Sequence, residues 1–210
     1  MIALTVDLED WYHGLNLESS VTTVLDDTHY VLDLLQRYDL KATFFVLLEI
    51  AANFPDLIKL IAKQGHEIGF HGKKHKFLTE MQPETFRADL KDGKSFLEDL
   101  TGQPVKGFRA PFFSITEKSS WAIDILAGES FHYDSSVYPA WNDRYGWKSV
   151  PGTPFIFEPS GLMEFPVPVT GYPVQFAFSG GAYLRILPWR FIEYSLDRAL
   201  NNNSLSMVYI

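Results

Sequence analysis

The sequence predicts an α/β fold built as a (β/α) barrel, and three observations carry that expectation. Short apolar runs of strand length alternate four or five times with longer amphipathic runs of helical length, the pattern of parallel strands joined by crossover helices. The chemically capable residues, carboxylates, imidazoles and one guanidinium, fall just after the strands, where a barrel gathers its loops on one face. The 210 residues contain no internal repeat and no linker-like stretch, which fits a single domain with a substantial core.

Taken in order, residues 2–6 form a short β-compatible run ended by charge, a buried strand. Residues 21–38 are an amphipathic helix, with Val24, Tyr30, Val31, Leu34 and Leu35 at helical spacing and Asp26, Asp27, Asp33 and Arg37 between them. Residues 42–47 are the second strand. Residues 55–64 are a short helix, with Pro55 in its first turn, an apolar face of Leu57, Ile58, Leu60 and Ile61, and Gly65 to stop it. Residues 67–70 form a third strand. Residues 83–100 are a helix with Phe86, Leu90, Phe96, Leu97 and Leu100 inward. A strand at 105–108, a helix at 117–127 and a strand at 131–133 follow. Residues 138–182 are rich in Pro, Gly and aromatics and read as irregular loops with short hairpins. A helix at 188–200 and an apolar strand at 205–210 end the sequence.

Hydrophobic residues make up 46% of the chain, so it folds rather than staying disordered. Aromatics are abundant, with 17 Phe, 10 Tyr and 5 Trp. Most belong in the core; the remainder can offer flat apolar faces to sugar rings. The net charge of −8, with no Lys/Arg block, argues against a nucleic-acid partner. There is no Cys, hence no disulfide and no thiolate ligand. The first residues lack the basic and long apolar regions of a signal peptide. No apolar run approaches the ~20 residues of a membrane span. A cytoplasmic location is the resulting expectation.

Three motifs carry chemistry. In His71-Gly72-Lys73-Lys74-His75, two imidazoles lie four residues apart with a glycine that lets the backbone bend, so both rings can reach one cation. Asp7, Glu9 and Asp10 crowd three carboxylates at the end of the first strand, a repulsion that a nearby cation relieves. Arg109 sits among apolar neighbours in Phe108-Arg109-Ala110-Pro111-Phe112 and needs an acidic partner. Asp7 suits a general base, because a guanidinium beside it keeps it ionised and aimed. Two His plus a carboxylate leave a metal site half open, which favours water activation over structural support. His13, His29, His66 and His132 read as structural or exposed.

With these motifs in this order, the chain resembles the polysaccharide deacetylases, the NodB-type carbohydrate esterases. Thr5-Val6-Asp7-Leu8-Glu9-Asp10 stands where that family has Thr-Phe-Asp-Asp. His71 to His75 matches its His-Ser/Thr-x-x-His motif, and Arg109-Ala110-Pro111-Phe112 its Arg-x-Pro-Phe/Tyr motif. A narrower likeness, to the exosortase-associated exopolysaccharide deacetylases, rests on Asp7 to Trp11, on Tyr133-Asp134-Ser135-Ser136-Val137-Tyr138-Pro139 and on residues 180–188.

The resemblance implies a distorted, seven-stranded barrel. It implies metal-assisted removal of N-acetyl groups from a hexosamine-containing polysaccharide or oligosaccharide. The metal would be zinc, with cobalt or nickel as alternatives, held by His71, His75 and one of Glu9 and Asp10, since Leu8 stands where the family's usual ligand Asp would be. Asp7 would be the base and Arg109 its partner. A backbone N–H near Phe112 or Phe113 would meet the oxyanion. Pro111, Phe112, Phe113, Asp134 and Trp141 would line the substrate. The family's general-acid His follows its last strand, whereas this sequence stops at Ile210. The sequence is therefore expected to be a truncated version of a longer protein, with His132 or water as the fallback acid. Two other readings stay open: an amidohydrolase of the same fold acting on a small cyclic amide or formamide, and a catalytically inactive glycan-binding relative.

Overall fold

The computed structural model describes residues 2–210 apart from 16, 18, 20, 143, 172–174, 182 and 202–205, so Ala182 and Leu205 of the sequence reading lie outside the described residues. Strand β1 (Ile2–Leu8) leads into a short helix α1 (Trp11–Gly14) and then α2 (Val24–Arg37). Strand β2 (Thr43–Val46) precedes α3 (Leu48–Asn53) and α4 (Pro55–Lys63). Strand β3 (Glu67–Phe70) precedes α5 (Pro83–Thr101), and β4 (Gly107–Phe108) precedes α6 (Trp121–Gly128). The second half adds β5 (Tyr133–Asp134), β6 (Phe155–Phe157), β7 (Leu162–Glu164), β8 (Val169–Thr170) and β9 (Phe176–Ala177). It ends with α7 (Tyr183–Ile186), α8 (Trp189–Asn201) and β10 (Ser206–Tyr209).

Eight strands form one curled sheet in the order β10-β1-β2-β3-β4-β5-β7-β6. Every neighbouring pair is parallel except the β6–β7 hairpin. The seven parallel strands are the distorted barrel expected of the sequence; β6 is an added antiparallel edge, and among the described residues no ladder joins it to β10. Helices cover the outside, and among the described residues no helix is long and apolar enough to cross a membrane.

The register decides where the chemistry falls. Leu8 pairs with Val46, Val46 with Phe70, Phe70 with Phe108, Phe108 with Asp134, and Asp134 with Glu164. These six strand ends therefore lie in one row. Because side chains alternate along a strand, the residues just beyond the row, among them Glu9, His71, Arg109 and Ser135, share one rim at the C-terminal end of the sheet.

Several boundaries differ from the sequence expectation, each for a local reason. α2 starts at Val24 rather than at 21, because Thr22 and Thr23 are held by the Asp10 carboxylate. Its buried stripe is Val24, Thr28, Leu32 and Leu35, and Tyr30 faces out. Thr28 enters that stripe because its hydroxyl donates to the Val24 carbonyl at 2.5 Å. In α5 the inward stripe is Phe86, Leu90, Gly93 and Leu97, while Phe96 is exposed. Gly93 replaces an apolar side chain there because the Phe70 ring fills the space; a Cβ would come within 2.2 Å of it. The residue 117–127 segment divides into a 3-10 turn at Glu117–Ser119 and then α6. β7 arises inside the stretch expected to be mostly loop.

Candidate active site

Asp7 lies near the end of β1, and Arg109 follows β4 directly. Arg109 is fully buried, and its Nη1 donates to Asp7 Oδ1 at 2.7 Å and to Thr5 Oγ1 at 2.9 Å. Nε donates to the Ser135 carbonyl at 3.1 Å and Nη2 to Ser135 Oγ at 3.0 Å. The Phe45 ring covers the guanidinium at 4.2 Å from its centroid. A cation so enclosed is fixed in one geometry, and the carboxylate it holds is fixed with it.

The second group sits beside this pair. Ligand atoms of Glu9, His71 and His75 all lie within 4.8 Å of one another. His71 Nδ1 bonds the carbonyl of Arg109 at 2.8 Å. That bond makes Nδ1 the donor and leaves Nε2 with a free lone pair, the usual outer-sphere arrangement of a metal-binding His. Burial lowers the His71 pKa against the pull of Asp7 and Glu9, which favours the neutral, ligating ring. His75 Nε2 is 2.9 Å from Glu9 Oε2. His75 Nδ1 is buried without a hydrogen-bond partner, and Glu9 Oε2 is buried with none besides the His75 contact. These atoms of His75 and Glu9, together with the Nε2 lone pair that His71 keeps, fit a divalent cation.

Local structure explains the placement. Gly72 adopts φ +98°, a backbone conformation that favours glycine, and it packs against Pro111. The His loop thus closes against the loop after β4. Phe112 and Phe113 both adopt left-handed φ, +57° and +50°. This costs roughly 1–3 kcal/mol per residue, and it lays the Phe112 ring flat on Phe77 at 4.0 Å and edge-on to His75 at 4.2 Å. Phe112 therefore walls the imidazole.

Of the two acids left open by the sequence, Glu9 joins the imidazoles and Asp10 does not. Asp10 is buried and caps α1, accepting from Trp11 N at 3.0 Å, from Thr23 N at 3.2 Å and from the Thr22 hydroxyl. Burial opposes its charge, but the bonds from Thr22, Thr23 and Trp11 outweigh burial and hold its carboxyl below the usual range. Its backbone N–H in turn bonds His13 Nδ1 at 2.9 Å, so His13 is a buried part of the cap.

Other expected site residues are placed differently. Asp134 is fully buried, bonded to the Ser136 hydroxyl, and cannot touch a substrate. Pro111 is buried against Gly72 and also lies out of reach. The Phe113 N–H is spent on the Ala110 carbonyl at 3.1 Å, which removes it from an oxyanion role. Phe112 and Phe113 are half-buried at the rim, and Trp141 stands 75% exposed. His132 lies at the start of β5, at the opposite end of the sheet from the site, and is exposed, so it is no general acid here. Thr5, Phe45 and Ser135 hold Arg109 without having been singled out; Ser135 stood in a quoted motif, but nothing in the sequence tied it to the guanidinium. A cavity of about 250 Å³ opens beneath Arg109 between Thr5, Phe45, Glu67, Tyr133 and Met207. Glu9, His71 and His75 do not line it.

Comparison with known proteins adds an independent line. Residues 1–127 match the family model described as polysaccharide deacetylase. Residues 135–210 match a domain of unknown function (DUF3473), the match expected for the exosortase-associated branch. A peptidoglycan-N-acetylglucosamine deacetylase from Bacillus cereus is 36% identical over 101 residues, 48% of this chain and 37% of its own length. The chain thus aligns with well under half of that relative. A crystal structure from Mycobacterium smegmatis, assigned to the polysaccharide deacetylases, superposes with a TM-score of 0.68 at 23% identity, covering 99% of this chain and 75% of that one. The PuuE allantoinase superposes with a TM-score of 0.65 at 15% identity, covering 100% and 76%. At such identities the superpositions establish the fold alone.

Proposed function

Because the chain belongs to the polysaccharide deacetylase family, we propose that it hydrolyses the acetamide of N-acetylated hexosamine units in a polysaccharide, releasing acetate and leaving a free amine. One observation carries the reading: a guanidinium-held carboxylate, Asp7, stands on the same rim as the Glu9, His71 and His75 cluster.

Glu9, His71 and His75 would hold a divalent metal, zinc first and cobalt or nickel as alternatives. Such a cation, when bound, acidifies a water and polarises an amide carbonyl. Asp7 takes the water's proton as its oxygen adds to the acetyl carbon. Arg109 holds the Asp7 carboxylate by the 2.7 Å contact and aims it at the water. The Arg109 carbonyl sets the tautomer of His71, so one residue orients both the base and a ligand. With the Phe113 N–H spent, the Phe112 N–H is the backbone donor left for the developing oxyanion. Trp141 offers an exposed ring face for a sugar. The C–N bond then breaks as the nitrogen takes a proton, the one Asp7 accepted or one from solvent, and the free amine and acetate leave.

The test is acetate release from an N-acetylated chitooligosaccharide, run beside allantoin and a formamide. Acetate from the oligosaccharide, lost in the His71→Ala/His75→Ala double variant, is the expected result. Turnover of allantoin or the formamide alone would transfer the site to small-amide chemistry. Binding of the oligosaccharide without turnover of any of them would make the chain a glycan-binding relative.

A further inference from the structure

The row of strand ends that sets the rim contains an anomaly. Leu8, Val46, Phe70 and Phe108 occupy it with apolar side chains at 0–2% exposure, packed in the layer between sheet and helices. The next two positions in the same row are Asp134 and Glu164, both fully buried. As a register pair on neighbouring parallel strands, the two carboxyl groups point the same way and meet.

Their hydrogen bonds are specific. Glu164 Oε1 accepts from Ser136 N at 3.2 Å and Val137 N at 3.0 Å. Asp134 Oδ1 accepts from the Ser136 hydroxyl. The remaining oxygens, Asp134 Oδ2 and Glu164 Oε2, are buried and find no N–H or O–H donor from elsewhere. Two carboxylate oxygens cannot bond each other unless one carries a proton. Two buried carboxylates side by side also cannot both ionise. We propose that Asp134 and Glu164 share a single proton and act as a positioning pair for Arg109 and, through it, for Asp7.

The route from the pair to the base is short. The Ser136 hydroxyl that Asp134 holds also accepts from Ala110 N at 2.7 Å, next to Arg109. Ser135, between the two, gives its carbonyl and hydroxyl to the guanidinium, and its hydroxyl donates to the Phe165 carbonyl at 2.8 Å. Phe165 follows Glu164. The segment 134–137 is thus a saddle seated on Glu164 that carries Arg109. Besides its partner, Asp134 feels the charge of Arg109. The covering helix α6 presents Ala122, Ile125 and Leu126, and its Asp124 faces solvent. Burial raises the pKa of both acids, and their mutual charge raises Glu164 further.

The sign of the pH dependence follows. A folded-state pKa above the unfolded one means that the pair's contribution is whole below about pH 4, the ordinary carboxyl value. It is lost as the pH rises through the folded value. Above that point two charges repel beneath the saddle, and Arg109 loses its seat.

Infrared spectra and thermal unfolding of the wild type and Glu164→Gln test this without reference to any substrate. A carboxylic-acid C=O band at neutral pH that shifts on ¹³C-glutamate or ¹³C-aspartate labelling is expected in the wild type and absent in E164Q. The amide introduced by E164Q can still accept the two backbone N–H groups and donate to Asp134. E164Q should therefore lose the decline in Tm that the wild type shows as the pH rises above the ordinary carboxyl range. A kinetic arm rests on the deacetylase reading: acetate release by E164Q should stay within about threefold of wild type at pH 7 and hold its rate further into the alkaline range. Should the wild type release no acetate, that reading fails while the spectra still decide the pair. Absence of any acid band in the wild type at pH 7 overturns the proposal, whether or not E164Q folds. Superimposable Tm profiles for the two proteins overturn it as well.

Discussion

Glu9 and Asp10 are adjacent acids with opposite fates, and the difference lies in what each oxygen touches. Glu9 Oε2 faces His75 with no other partner, whereas Asp10 is saturated by the start of α1 and by Thr22 and Thr23. Glu9→Gln should therefore remove most bound metal while leaving Tm nearly unchanged. Asp10→Ala should keep the metal and lower stability by about 1–2 kcal/mol, the usual cost of a lost N-cap. Elemental analysis and thermal unfolding of the two variants check this; loss of metal from Asp10→Ala alone would reverse the assignment. Asp7, His71, His75 and Arg109 could be singled out in the sequence because each lies in a short motif at or just after the end of a strand. The choice between Glu9 and Asp10 was not, because it depends on a turn whose partners lie 12 and 13 residues away. Asp134 was misread as facing substrate, since its true partner, Glu164, is 30 residues on and only the sheet register brings the two together.

Helix α5 and strand β3 meet where Gly93 faces the Phe70 ring, and Phe70 immediately precedes His71. Alanine would favour the helix by about 1 kcal/mol on propensity. Its Cβ would nonetheless stand 2.2 Å from a fully buried ring. Overpacking of that kind costs about 1–3 kcal/mol, so Gly93→Ala should destabilise on balance and displace the His loop. Urea unfolding and metal affinity check it, and a stabilised variant would show that α5 shifts freely. The long helices and the first three strands could be read from the sequence because their apolar periods run for several residues. β4 and β5, though only two residues long, fall at the runs expected at 105–108 and 131–133, whereas β7 spans three residues, too few to display a period. β7 lay hidden for this reason among Pro, Gly and aromatic residues.

Across the whole molecule, one register row aligns six strand ends and brings residues from the first strand to the fifth onto a single rim. Arg109 is the centre of that arrangement: its side chain holds Asp7, its carbonyl holds His71, and the 134–137 saddle holds Arg109. The alternation of strands and helices made the barrel legible, and the motifs made its active face legible. The short hairpins expected at 138–182 include the β6–β7 pair, but the sequence did not indicate that one of its strands joins the parallel sheet. The division of labour, with Asp7 as base and Glu9, His71 and His75 as metal ligands, is the central claim. It is tested most directly by acetate release per bound metal ion in Asp7→Asn. That variant should retain wild-type metal content and release acetate at least ~100-fold more slowly per metal, the lower range for a lost general base. Loss of the metal with an unchanged rate per remaining ion would contradict the account.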